Sequence, residues 1–135
     1  MIRLTNADTF KSNKNDRILT VSMMNADQRL HISTGVKEET NTDTKLKNYI
    51  HPNRTSANQW HNITVKQVFG RGEYMLEIIL DGELVHKRPL KHTPLTYRNV
   101  KVIVGDKHPP MIKGWIDKVN IETGNLMSRR FKWEF

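Results

Sequence analysis

Three carboxylates lie close together in the chain, Glu77, Asp81 and Glu83, and a pair of carboxylates facing one sugar is what glycoside hydrolysis needs. The spacing does not supply that pair. Glu77 alternates with Leu76 and Ile78 and so points away from their apolar side, while Asp81 is required by an Asp81-Gly82 turn. Six histidines, His31, His51, His61, His86, His92 and His108, form no His-Glu-x-x-His or other recognised ligand spacing and read as surface residues. There is no cysteine, hence no thiolate nucleophile and no disulfide. The chain reads as a non-enzyme.

Binding chemistry is better represented. The densest basic stretch runs from His86 to Lys101, where Lys87, Arg88, Lys91, Arg98 and Lys101 accompany His86 and His92 around one connection. These five cations are the expected glycan-binding stripe, because Lys and Arg complement sulfate and carboxylate groups and Arg makes bidentate contacts that Lys cannot. The whole chain agrees in sign: 22 Lys plus Arg against 14 Asp plus Glu give a formal charge of +8. That excess favours a polyanionic partner over a neutral one, although scattered charge also serves solubility alone. Nucleic acid is not expected, since its single-stranded readers interleave aromatic and basic side chains and aromatics are 7% of this chain. Two N-glycosylation sequons occur, Asn53-Arg54-Thr55 and Asn62-Ile63-Thr64, with Asn53 in a loop and Asn62 on the outward face of a strand.

The elements that must position these residues are strands. With 135 residues the chain has the size of one domain, read as 1–135. Leu30 and Ile32, then Ile63, Val65 and Phe69, then Tyr74, Leu76, Ile78 and Leu80, then Val100, Val102 and Val104, then Trp115, Val119 and Ile121 recur at the two-residue period of a half-buried strand. The Tyr74 to Leu80 strand is the longest one-sided set and is expected to be central. Asp81-Gly82 and Gly70-Arg71-Gly72 carry hairpin chemistry, and Pro109-Pro110 blocks a strand. Residues 5–16 read as loop, and so does 35–59 apart from a weak strand near Leu46 to Ile50. No segment has a 3.6-residue period.

The segment Trp60-His61-Asn62-Ile63-Thr64-Val65, followed by Tyr74-Met75-Leu76-Glu77-Ile78-Ile79-Leu80-Asp81-Gly82-Glu83-Leu84-Val85, resembles the laminin G-like and concanavalin A-like jelly rolls. Asn99 to Asp106 and Gly114 to Ile121 are similar to the closing strands of that family. The resemblance covers Arg17 to Thr123 and implies an all-β fold, an antiparallel β-sandwich of the jelly-roll kind, serving extracellular recognition and adhesion as a secreted lectin-like module. It implies Trp60 as a core residue capping the sandwich. Trp115 is either core or a sugar-stacking platform, with core the commoner role. Because many relatives hold calcium on Asp side chains and loop carbonyls, the resemblance also raises a Ca²⁺ site, for which Asp8, Asp43 and Asp106 are the loop candidates, at a spacing that defines no site.

The sequence departs from the family at its start. Met1-Ile2-Arg3-Leu4-Thr5 reads like a strand from inside the fold, so the opening strands are expected to be missing, and no apolar run long enough for a signal peptide or membrane span is seen there. The C-terminal Phe131, Trp133 and Phe135, alternating with charge, are then the expected assembly edge, pairing in cis or with a second chain. The competing function is therefore an assembly subunit whose sandwich another chain, or its own twin, completes.

Overall fold

The computed structural model describes residues 1–5, 17–24, 26–37, 44–56, 59–90, 100–105, 115–123 and 128–134, with backbone alone for 17, 36–37, 44–47, 122–123 and 128–134. Among these residues there are ten strands and no helix: β1 (Ile2–Thr5), β2 (Arg17–Met23), β3 (Leu30–Lys37), β4 (Thr44–Ile50), β5 (Asn62–Gly70), β6 (Glu73–Leu80), β7 (Glu83–Leu90), β8 (Lys101–Val104), β9 (Lys118–Thr123) and β10 (Ser128–Glu134). No helix of the described residues is long and apolar enough to cross a membrane. The chain is all-β and forms two five-stranded sheets, ordered β4-β3-β2-β1-β8 and β7-β6-β5-β10-β9, with every strand pair antiparallel. The first belongs to a compact unit of residues 1–57 and 94–113, the second to one of residues 58–93 and 114–135.

In the first sheet the apolar side is a cross-strand row. Ile2 faces Val21, Val21 faces Ile32 and Ile32 faces Tyr49, and all four are buried. Leu4 and Leu19 form a second buried pair beside it. β1 is buried at every position, Arg3 and Thr5 included, and is paired on both sides, with β2 and β8. The segment 1–5 is thus an interior strand, as its sequence suggests. The stretch expected to be mostly loop between Gly35 and Gln59 is more regular than that. β3 continues to Lys37 and pairs with a full β4 in which Leu46 faces Gly35 and Ile50 faces His31, because backbone pairing with a neighbour offsets weak strand propensity.

The second sheet is a meander, β5-β6-β7, extended by the β9-β10 hairpin. Ile63, Val65, Leu76, Ile78 and Leu90 are its buried apolar set. Both short connections in the meander are two-residue turns. Gly70 pairs with Glu73 around Arg71 (φ 55°) and Gly72 (φ 84°), and Leu80 pairs with Glu83 around Asp81 (φ 52°) and Gly82 (φ 86°). Two consecutive positive φ values are what a type I′ hairpin turn needs, and Gly in the second place adopts them without a Cβ clash. The Tyr74 to Leu80 strand is central in the sense expected, since β6 is paired on both sides, and the middle place of the five falls to β5, which has β10 as its second neighbour. The register slips by one between Ile78 and Ile79, leaving Val85 as the extra residue of a bulge in β7.

Candidate functional site

The predicted basic stripe is dispersed. Lys87 and Arg88 are neighbours in β7, and successive strand residues point to opposite faces. Lys87 lies opposite Glu77, and its Nζ sits 2.9 Å from Glu77 Oε1, so the carboxylate once considered for catalysis is committed to an ion pair. The row continues by register through Lys66, Arg130 and Glu122, alternating in sign along most of its length. Lys101 is exposed in β8 of the first sheet, while Lys91, Arg98 and His92 lie outside the described residues.

Arg88 lies on the apolar side of the second sheet, opposite the buried Leu76, and His86 lies opposite the buried Ile78. The Arg88 Nη2 atom is covered and has no hydrogen-bond acceptor. A guanidinium held against apolar side chains without a counter-charge is electrostatically costly. Its neighbour registers this: burial first, and the Arg88 charge second, hold the His86 imidazole below its ordinary pKa.

A second group gathers at the end of the same sheet where β5 and β9 begin. Asp81, in the β6–β7 turn, accepts the Asn62 N–H on Oδ1 at 2.8 Å and holds Nδ1 of His61 on Oδ2 at 2.8 Å. The Asp81 N–H donates back to the Asn62 carbonyl at 2.8 Å. His61 is buried at 6% exposure, whereas Trp60, expected as the core cap, is 61% exposed. Strand phase gives the reason. His61 is in step with Ile63 and Val65, which are buried, and Trp60 is one residue out of step. Trp115, for which core was the commoner expectation, is 86% exposed, because β9 begins only at Lys118 and Trp115 precedes it. Reading that phase back from Ile63 would have found the buried histidine.

His31 and His51 each have a side-chain partner. His31 Nε2 lies 2.8 Å from Asp27 Oδ2, and Asp27 is kept below the usual aspartate range first by the Arg29 N–H bonded to it, then by His31. The Tyr49 hydroxyl and His51 Nδ1 share a hydrogen bond of 2.9 Å, and burial raises the tyrosine pKa. Among the described residues no three His, Cys, Asp or Glu side chains could hold a metal ion together. Asp8, Asp43 and Asp106, raised as calcium ligands, lie outside the described residues, as does His108.

Both sequons fall on described residues, Asn53 exposed between β4 and β5 and Asn62 half-buried at the start of β5. Phe131 and Trp133 lie in β10, which pairs with β5 on one side and β9 on the other. Their backbone is therefore interior to the sheet: of the two pairings expected for this tail, in cis or with a second chain, the described residues have the one in cis. Phe135 lies outside the described residues. Among the described residues the flanking strands are β4 and β8 in one sheet and β7 and β9 in the other. Compared with family models, curated proteins and solved structures, the chain matches none.

Proposed function

We propose that the protein is a non-catalytic extracellular recognition module on a laminin G-like jelly roll, binding an acidic glycan through its basic surface. The observation that carries this reading is Arg88: a half-buried guanidinium on strand β7 with its Nη2 covered and no acceptor bonded to it, in a chain of net charge +8. A cation already stripped of part of its water, and lacking a carboxylate of its own, gains more from an incoming sulfate or carboxylate than a solvated lysine does. Glu77 meanwhile neutralises Lys87, so the two neighbours differ in availability. Heparin chromatography tests this. The chain is retained at low salt, Arg88→Ala elutes earlier, and Glu77→Gln, which releases Lys87, elutes later, with every elution point moved by ionic strength. Absence of retention at low salt would remove the reading.

A second reading has its own support. Val102 and Val104 are exposed in β8 and Val100 just before it, and among the described residues β8 pairs with β1 alone. An apolar edge of this kind invites strand addition and favours an assembly subunit. Light scattering of the intact chain against Val102→Lys separates the two, because a monomer in both would leave the assembly reading without support.

A further inference from the structure

Arg88 shares its side of the second sheet with an aromatic pair. By register Gln67, Leu76 and Arg88 form one row across β5, β6 and β7, and Phe69, Tyr74 and Leu90 form the next. Alternate residues of a strand point to one side and stand about 7 Å apart, so both rows lie on the side that holds Val65 and Ile78. Burial falls off along β5 and β6 toward the Arg71-Gly72 turn. Ile78 and Leu76 are fully buried, Arg88 and Tyr74 are half-buried, and Phe69 is 44% exposed. The Phe69 and Tyr74 rings pack against each other with centroids 4.8 Å apart.

This corner lacks an anion. Among the described residues Arg88 makes no hydrogen bond, ion pair or ring contact. Glu73 and Glu77 fall on the opposite side in strand phase, and Glu77 is held by Lys87. By register the nearest carboxylate of β5, β6 and β7 on the Arg88 side is Glu83, opposite Leu80 and two rows away beyond His86. Buried polar groups are as a rule hydrogen-bonded, yet Nη2 of Arg88 is covered without an acceptor. The residue as a whole is half-buried, so the guanidinium can still be reached from solvent.

A guanidinium without an acceptor beside a part-exposed aromatic pair selects the ligand. A small hydrated anion such as sulfate would satisfy Arg88 but leave the rings in water, and would lose hydration beside Leu76. An uncharged apolar molecule would cover the rings and leave Arg88 without an acceptor. A carboxylate carried on an aromatic ring meets both at once. Its two oxygens match the guanidinium fork, and its ring packs on Phe69 and Tyr74 in the offset or edge-on manner that aromatic groups prefer. We infer that this corner of the second sheet binds small aryl carboxylates, with the acid group on Arg88 and the ring against Phe69 and Tyr74. The site rests on the same availability of Arg88 as the glycan reading and adds a ligand of a different class.

The test is NMR titration of the full chain, with amide shifts followed residue by residue, against benzoate, phenylacetate and 3-phenylpropionate. Propionate, which lacks the ring, and 3-phenylpropionamide, which lacks the charge, are the controls. At least one aryl carboxylate binds at millimolar concentration or below, with shifts centred on residues 67–76 and 86–90, and both controls bind at least about tenfold more weakly. Arg88→Ala weakens binding about tenfold or more, Arg88→Lys keeps part of it, and Phe69→Ala weakens it about threefold to tenfold. Circular dichroism confirms that the variants fold, and the two controls test the same point without any substitution. Heparin retention is lowered by Arg88→Ala and unchanged by Phe69→Ala. Arg88-dependent heparin retention without aryl carboxylate binding overturns this site and leaves the glycan reading standing, and the reverse result removes the glycan reading alone. The site is also overturned if propionate or the amide binds as tightly as 3-phenylpropionate, or if the shifts gather elsewhere on the chain.

Discussion

Asp81 and His61 are twenty residues apart in sequence and 2.8 Å apart in space, carboxylate oxygen to Nδ1. Asp81 spends its second oxygen on the Asn62 N–H and its own N–H on the Asn62 carbonyl, so one turn residue ties the β6–β7 hairpin to the start of β5. Removing the carboxylate takes this partner from two groups at once, the His61 imidazole and the Asn62 N–H, while the Asp81 N–H keeps its bond to the Asn62 carbonyl.

Asp81→Ala is therefore expected to cost about 1–3 kcal/mol, the range for leaving a covered polar group without its partner. Asp81→Asn, which retains an acceptor for the Asn62 N–H and tolerates positive φ, costs less. Urea unfolding of both variants checks the order; equal losses would show that the carboxylate charge, and not its acceptor geometry, is what matters.

Burial predicts opposite outcomes for two large side chains of the same sheet. Ile78 is fully buried and Trp60 is 61% exposed. Ile78→Ala should lose about 2–5 kcal/mol, whereas Trp60→Ala should stay within about 0.5 kcal/mol. Chemical denaturation at one temperature compares them directly, and a large loss at Trp60 would contradict its exposure.

The two I′ turns are not equally well furnished. Asp81 suits its left-handed conformation, but Arg71 adopts φ 55° with a long side chain that offers the backbone no local hydrogen bond. Arg71→Asn is expected to stabilise the protein by about 0.5–1 kcal/mol, visible as a rise in Tm without loss of strand signal.

His86 makes stability fall with acidity. Burial and the Arg88 charge lower its folded pKa, so the unfolded chain takes up the proton first. The contribution is complete above the ordinary histidine value of about 6.5 and is lost as pH falls from there through the lowered folded pKa. Arg88→Ala removes one of the two causes and should flatten the decline between about pH 7 and pH 5. Thermal melts of both proteins across that interval measure it, and identical slopes would show that burial alone sets the shift.

Much of the fold is local and so was legible in the residues. The alternation of Tyr74, Leu76, Ile78 and Leu80 and the Asp81-Gly82 and Arg71-Gly72 pairs define two hairpins without reference to distant chain. The same two-residue period already separates Lys87 from Arg88 and puts His61, not Trp60, in step with Ile63. Bulk hydrophobicity points to the indole, but strand phase decides which side chain turns inward. β2 carries the same alternation at Leu19 and Val21 and is read less easily because polar residues follow and precede it.

What the sequence determined by itself, then, is the all-β class, the hairpins and the side of each strand that is apolar, because those depend on a residue's neighbours one to three positions away. The tertiary structure alone decided which strands meet. Residues 128–134 run beside Asn62 to Val68, the segment 1–5 has a neighbour on each side, and Lys101 joins a different sheet from Lys87 and Arg88. Such pairings close long loops, and nothing in the local pattern ranks one distant backbone partner above another. The same holds for the site. Its residues are ordinary in sequence, and only the fold brings Asp81 within 2.8 Å of His61 Nδ1.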